Sequence, residues 1–135
     1  MTSSTDLLAS PGSANMGVEF FIDTIDRGKD GALRYIGYIN SGGSVSLGEV
    51  FVEAYVIPRS IDDVRMMRPL AAPVNRRRVS LTLTHIEVMR QSIQLLGQGI
   101  TAIVGLSGEG LDLLCEGDRL NTRPGASEDW NRHED

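Results

Sequence analysis

Arginine supplies most of the chemistry that this sequence could perform. Seven basic side chains, Arg59, Arg65, Arg68, Arg76, Arg77, Arg78 and Arg90, fall between residues 59 and 90 against three acidic ones, a local charge of +4 in a chain whose total is −5. A guanidinium offers a planar fork of donors that matches phosphate oxygens, and each phosphate it neutralises releases counterions. One reading of the split is therefore an RNA-phosphate patch, with Arg65, Arg68, Arg76, Arg77, Arg78 and Arg90 as contacts. The other is a solvated segment whose arginines pair with the acid-rich remainder. The acidic total favours the second, because nucleic-acid-binding domains are usually basic. In either case, strand alternation sets Arg76 and Arg78 on one face and Arg77 on the other.

Other chemistries find few residues to work with. His85 and His133 are the two histidines and Cys115 is the single cysteine, too few for a metal cluster or a Ser-His-Asp set. Cys115 follows Leu113 and Leu114 in a strand-like run, which predicts a small buried hydrophobe rather than a nucleophile. Asp62-Asp63, Glu128-Asp129 and Glu134-Asp135 are adjacent carboxylates in loops and tails, without the burial that would separate their pKa values for acid-base work. Met66-Met67, close to Ile61 and Val64, would suit either an adaptable binding surface or packing of the loop onto the core, and packing is the expected outcome. Trp130 sits in an acidic tail, either exposed or anchoring the tail to a partner. No catalytic residue, metal or cofactor is expected.

The elements that must position these residues are strands. Val18, Phe20 and Ile22 alternate with Glu19, Phe21 and Asp23 in a strand that ends near Arg27, and Gly28-Lys29-Asp30-Gly31 turns the chain into a hairpin. Leu33 to Asn40 alternates likewise, Ser41-Gly42-Gly43-Ser44 breaks it, and a third strand runs from Val50 to Val56. Pro58, Pro69 and Pro73 punctuate a long loop with one helical turn around residues 61 to 67. From Val79 the apolar parity flips between Leu83 and Ile86, which predicts a β-bulge near His85. Ile100 to Leu106 is β-prone, and Glu116-Gly117-Asp118 turns into Arg119-Leu120. Six or seven short strands imply a small sandwich or barrel, with closure favoured because it removes exposed edges.

The 135 residues, 41% of them hydrophobic, suit one domain with a core of its own. The expected organisation is a flexible tail over residues 1–16, a barrel over 17–121 with a loop at 58–76, and an acidic tail over 122–135. One cysteine cannot form an internal disulfide, no secretory pattern is visible, and the apolar runs fall short of the ~20 residues of a spanning helix. The expected compartment is the cytoplasm, without membrane association.

Several segments then carry a family resemblance. Phe20 to Asp26, Tyr35-Ile36-Gly37-Tyr38-Ile39 and Val45-Ser46-Leu47-Gly48-Glu49-Val50-Phe51-Val52 resemble the opening of domain II of translational GTPases, elongation factor Tu among them. Val79 to Val88 is similar to a later strand of that domain. Gln98 to Gly108 is similar to its Ala-Gly-x-x-Val-Gly-Leu-x-Leu-x-Gly segment, and Cys115 to Leu120 to its Arg-Gly-x-x-Leu ending. The resemblance spans residues 18 to 120 in order. It implies a six-stranded Greek-key closed β-barrel, and as partners a GTPase domain, the ribosome or the acceptor end of tRNA. The departures are equally specific. No Gly-x-x-x-x-Gly-Lys-Ser/Thr is present to cradle phosphates, so no GTPase activity is expected. The family's Thr-Gly-Arg is Ile36-Gly37-Tyr38, and the loop from Arg59 to Asn75 is longer than in elongation factor Tu. Related barrels serve flavin reductases through Arg-x-Tyr-Ser, a spacing that Arg34-Tyr35-Ile36-Gly37 does not reproduce. The expected function is a non-catalytic binding module for RNA or a translation-related protein, the alternative a protein-interaction or oligomeric module that keeps the barrel without RNA binding.

Overall fold

The computed structural model describes residues 17–123. The alternating segments become β1 (Glu19–Arg27), β2 (Leu33–Ser41), β3 (Ser44–Ser46), β4 (Val50–Val56), β5 (Val74–Val88), β6 (Gln91–Ser92), β7 (Leu95–Gly97), β8 (Ala102–Glu109) and β9 (Arg119–Asn121), with a short α-helix, α1 (Ile61–Arg65), between β4 and β5. Six strands hydrogen-bond in the order β4-β9-β1-β2-β8-β5, and β5 pairs back onto β4 to close the ring, with β6 as an extra strand beside β5. All these pairings are antiparallel. Of the six ring strands, β4, β5 and β8 follow one another in the chain and lie side by side, and the next, β9, returns beside β4, the Greek-key arrangement. Closure satisfies the backbone donors and acceptors that an open sheet would leave at its edges.

The period-two pattern decides what fills the barrel. Phe20, Ile22, Tyr35, Ile39, Phe51, Ala54, Leu81, Leu83, Ile86, Val104 and Leu120 are all buried, and each large one contributes about 1.5–3 kcal/mol relative to exposure. The separate β3–β7 pair adds Val45 and Leu96, which face each other across it and are also buried. The Phe20 and Phe51 rings meet at 6.2 Å between centroids. Gly37 permits the close β1–β2 approach at this core, since a Cβ there would stand 1.8 Å from the Phe21 carbonyl oxygen.

Irregularities fall where the apolar parity changes. The β5–β8 register shifts between Leu83 and His85, so the expected bulge is present and returns Ile86 to the core. Other shifts, among them one between Phe51 and Glu53 in the β4–β5 pairing, were not expected; the Phe51/Glu53 shift matters most for the core. It turns Phe51 and Ala54 inward and leaves Val50 and Val52 outside the buried set, so β4 does not keep one apolar face along its whole length. The strand-like Leu111 to Cys115 run is instead a 3₁₀ turn over Leu111–Leu113, entered through Gly110 at φ 103°. Cys115 is exposed rather than buried, because the turn buries Leu114 and leaves its neighbour in solvent.

Candidate functional site

β5 carries the arginine triplet, and its register divides the members among different partners. Arg77 donates from Nη1 and Nη2 to the two carboxylate oxygens of Asp118 at 2.9 and 2.8 Å, and from Nη1 to the Leu113 carbonyl at 2.6 Å. Asp118 also accepts the Cys115 N–H at 2.7 Å. The two side chains are 15% and 2% exposed, and hydrogen bonding to the Asp118 carboxylate holds the Arg77 guanidinium above its ordinary pKa. This fork fastens the turn before β9 to the start of β5. Arg76, one residue away, meets the buried Glu53 instead, its Nε 3.4 Å from Oε2. Arg78 is exposed.

The remaining sequence candidates stand apart. Arg65 is exposed on α1, and Arg68 follows in the same loop with Nη1 2.9 Å from Asp63 Oδ1. Arg90 lies at the far end of β5, in a two-residue turn where Met89 and Arg90 take φ 51° and 68°. Arg78 and that turn are separated by about 36 Å of chain along the strand. The six arginines thus occupy three regions of the barrel, and two of the six are engaged by buried carboxylates.

The β4–β5 loop holds what the sequence did not anticipate. Ser60 caps α1: its Oγ accepts the Asp63 N–H at 3.1 Å, while Asp63 Oδ2 accepts the Ser60 N–H at 2.9 Å. The Ser60 backbone bond, together with Arg68, lowers the Asp63 pKa from its usual value. These contacts close the helix on its own loop, and α1 has no buried residue. Ile61 is 72% exposed, Val64 59%, Met66 66%, Met67 86% and Leu70 44%. The expected packing of Met66-Met67 onto the barrel does not occur. Pro58 and Pro69 bracket the segment, and Met67 takes a left-handed φ of 54°, so the chain turns outward with its thioethers in water.

A second cluster, on the outer face of β2, β1, β9 and β4, emerges only from register. Glu19 and Glu53 both oppose Asn121, and Arg119 opposes both Phe21 and Tyr55. Glu19 accepts the Tyr55 hydroxyl at 2.7 Å, Asn40 Nδ2 at 3.1 Å and Arg119 Nη1 at 3.2 Å, and Asn121 Nδ2 donates to the Tyr55 oxygen at 3.2 Å. Arg119 lies 5.6 Å from the centroid of the Phe21 ring, which packs on Tyr38. Burial, reinforced by the Glu19 charge, raises the Tyr55 pKa well above that of an ordinary phenol. With Tyr55 only 3% exposed, no reactant reaches this hydroxyl, and the cluster works as a clamp across four strands.

The other polar candidates are equally committed or open to solvent. His85 is 49% exposed with Nε2 3.6 Å from Glu87. The Tyr35 hydroxyl is buried without a hydrogen-bond partner, and burial raises its pKa. Among the described residues, no three His, Cys, Asp or Glu side chains could hold a metal ion, and no helix is long and apolar enough to cross a membrane. Trp130, His133 and the carboxylate pairs Glu128-Asp129 and Glu134-Asp135 lie outside the described residues. Among the described residues the β4–β5 loop gathers five exposed large apolar side chains, while Met89 and Leu95 are exposed elsewhere; neither a family model nor a curated protein matches the chain.

Proposed function

We propose that this chain is a non-catalytic binding module, built on a barrel like that of translation-factor domain II, that engages a protein through the β4–β5 loop. The observation that carries this reading is the exposure of Ile61, Val64, Met66, Met67 and Leu70 in one loop whose helix packs no side chain onto the barrel. Isolated exposed apolar residues are ordinary, but five in one short segment mark an interaction surface. Methionine suits it, since an unbranched thioether adapts to a partner's contours. The resemblance to domain II supports a translation-related protein as that partner.

RNA is the second reading, supported by the exposure of Arg65, Arg78 and Arg90. Against it, Arg76 and Arg77 are engaged by Glu53 and Asp118, so the sharpest element of the basic segment serves the fold. The test is affinity capture from the host's lysate at low and high salt, with bound RNA and bound protein both identified, using the wild-type chain and one carrying Met66→Glu and Met67→Glu. A protein retained at high salt by the wild type and lost from the variant is the expected result. Recovery of RNA alone, released by salt and unaffected by the methionine changes, would overturn the protein reading, because phosphate contacts weaken steeply with ionic strength.

A further inference from the structure

We infer that Met66 and Met67 form a reversible oxidation site, at which a peroxide turns the β4–β5 loop from an apolar surface into a polar one while the barrel stays folded. The inference rests on the proposed function for the surface it regulates, and on the placement of the methionines for the modification itself. Methionine is among the residue types most often enclosed in a core. In this chain the buried hydrophobic set is built from Phe, Tyr, Ile, Leu, Val and Ala, and the methionines among the described residues, Met66, Met67 and Met89, are all exposed. An oxidant therefore meets these thioethers in solvent, and their sulfoxides need no room inside the barrel.

The chemistry needs only hydrogen peroxide. The thioether sulfur attacks one peroxide oxygen, an S–O bond forms and the O–O bond breaks. The sulfur loses two electrons to the peroxide, and the departing hydroxide takes the proton of the transferred hydroxyl and leaves as water. What was a flexible apolar side chain now ends in a polar sulfoxide. A dithiol-dependent reductase reverses the step, the sulfoxide oxygen leaving as water while two thiols become a disulfide.

The local geometry separates the surface from the fold. The Met66 N–H donates to the Asp62 carbonyl at 2.9 Å and the Met67 N–H to the Val64 carbonyl at 3.1 Å. These bonds run through the backbone, so oxidation at sulfur leaves them in place. Along the chain the two thioethers lie between Ile61 and Val64 on one side and Leu70 on the other, all exposed, and two added oxygens interrupt that apolar run at its middle. A partner covering the loop would have to strip water from both oxygens, which opposes the contact. Met89, in the turn at the far end of β5, oxidises without altering the loop and serves as the control position.

Peroxide treatment of the Cys115→Ser chain, which lacks the exposed thiol, tests the inference. Peptide mass mapping should find one added oxygen on each of Met66 and Met67, with the urea unfolding midpoint unchanged. Retention on a hydrophobic-interaction column, which needs no partner, should fall on oxidation and return after methionine sulfoxide reductase and dithiothreitol. Adding Met66→Leu and Met67→Leu should preserve most of the retention in peroxide, whereas adding Met89→Leu preserves little. Loop methionines left unmodified while Met89 is oxidised overturn the inference, as does a lowered midpoint, and so does a leucine pair that loses as much retention as its parent. In capture from lysate the oxidised chain should hold about tenfold less of the salt-resistant protein, and reductase should restore it. Undiminished capture by the oxidised chain, where Met66→Glu with Met67→Glu abolishes capture, overturns the regulation and leaves the proposed function standing. A glutamate pair that captures as well as the wild type overturns the proposed function, and column retention still decides the modification.

Discussion

Replacing Arg77 by alanine separates the two meanings of the arginine triplet. The substitution leaves Asp118, 2% exposed at its side chain, facing the space of a lost guanidinium, and it removes the bond to the Leu113 carbonyl. Breaking a buried pair from one side costs about 3–5 kcal/mol, because the remaining charge is desolvated without compensation. Asp118 keeps its Cys115 N–H donor and Arg77 is not completely enclosed, so the lower figure, about 3 kcal/mol, is expected. With a urea slope of about 1.5 kcal/mol/M, the midpoint falls by about 2 M. Arg78→Ala, at an exposed position, should change stability by no more than about 0.5 kcal/mol. Adding Asp118→Asn to the Arg77→Ala chain removes the stranded charge while keeping an acceptor for Cys115, and should recover about 1–2 kcal/mol of the loss. Urea titrations followed by far-ultraviolet circular dichroism provide the comparison. Equal costs at positions 77 and 78, or no recovery in the double variant, would refute the buried-pair reasoning. A joint replacement of Arg76, Arg77 and Arg78 therefore cannot report on RNA binding until the fold of the product is established.

Two further outcomes follow from the buried hydroxyls. Tyr35→Phe removes a core hydroxyl that has no hydrogen-bond partner and so should leave the protein equally stable or up to about 2 kcal/mol more stable, where a typical core change destabilises; a loss beyond 1 kcal/mol in urea titration would show that the hydroxyl makes a bond the geometry does not contain. For Tyr55, whose folded pKa is raised, the neutral phenol is favoured by folding. Its contribution is fully present below the unfolded value of about 10 and is lost as pH rises, with a slope of up to about 1.4 kcal/mol per pH unit. Unfolding midpoints between pH 9 and 11 should fall more steeply for the wild type than for Tyr55→Phe, and parallel slopes would contradict the assignment.

Local patterning made the strands readable and long-range pairing hid most of the site. The Phe20 and Ile22 alternation, the hairpin at Gly28–Gly31 and the bulge beside His85 each declare themselves within a few residues. The partners of Arg77 do not: Asp118 is 41 positions away, and Glu19 reaches Tyr55 across 36. Only barrel closure brings them together. Short apolar runs are ambiguous in a different way, since Leu111 to Leu114 can serve a strand or a tight helical turn, and Gly110 decided for the turn. One missed feature was legible. Ser60 followed by Asp63 and preceding Ile61 is the capping-box spacing, and it would have indicated a helix complete in itself, with less reason to lean its Met66-Met67 end onto the core.

Closure also explains why binding should reside where it is proposed. In the ring, β4 and β5 each have neighbours on both sides, so the barrel offers little backbone for a partner strand to pair with. The outer face of β1, β9 and β4 is occupied by its own Glu19, Tyr55, Asn121 and Arg119 network, and opening it would expose a carboxylate and a phenol already matched to each other. The β4–β5 loop is bound by neither constraint. Its helix is capped internally and has no buried residue, and Met66 and Met67 are 66% and 86% exposed. Changes at Met66 or Met67 should therefore alter partner binding while leaving the unfolding midpoint in place, whereas changes at Arg77 or Asp118 do the reverse. That division follows from the geometry alone, and a loop variant that lost stability and binding together would place the loop within the fold rather than beyond it.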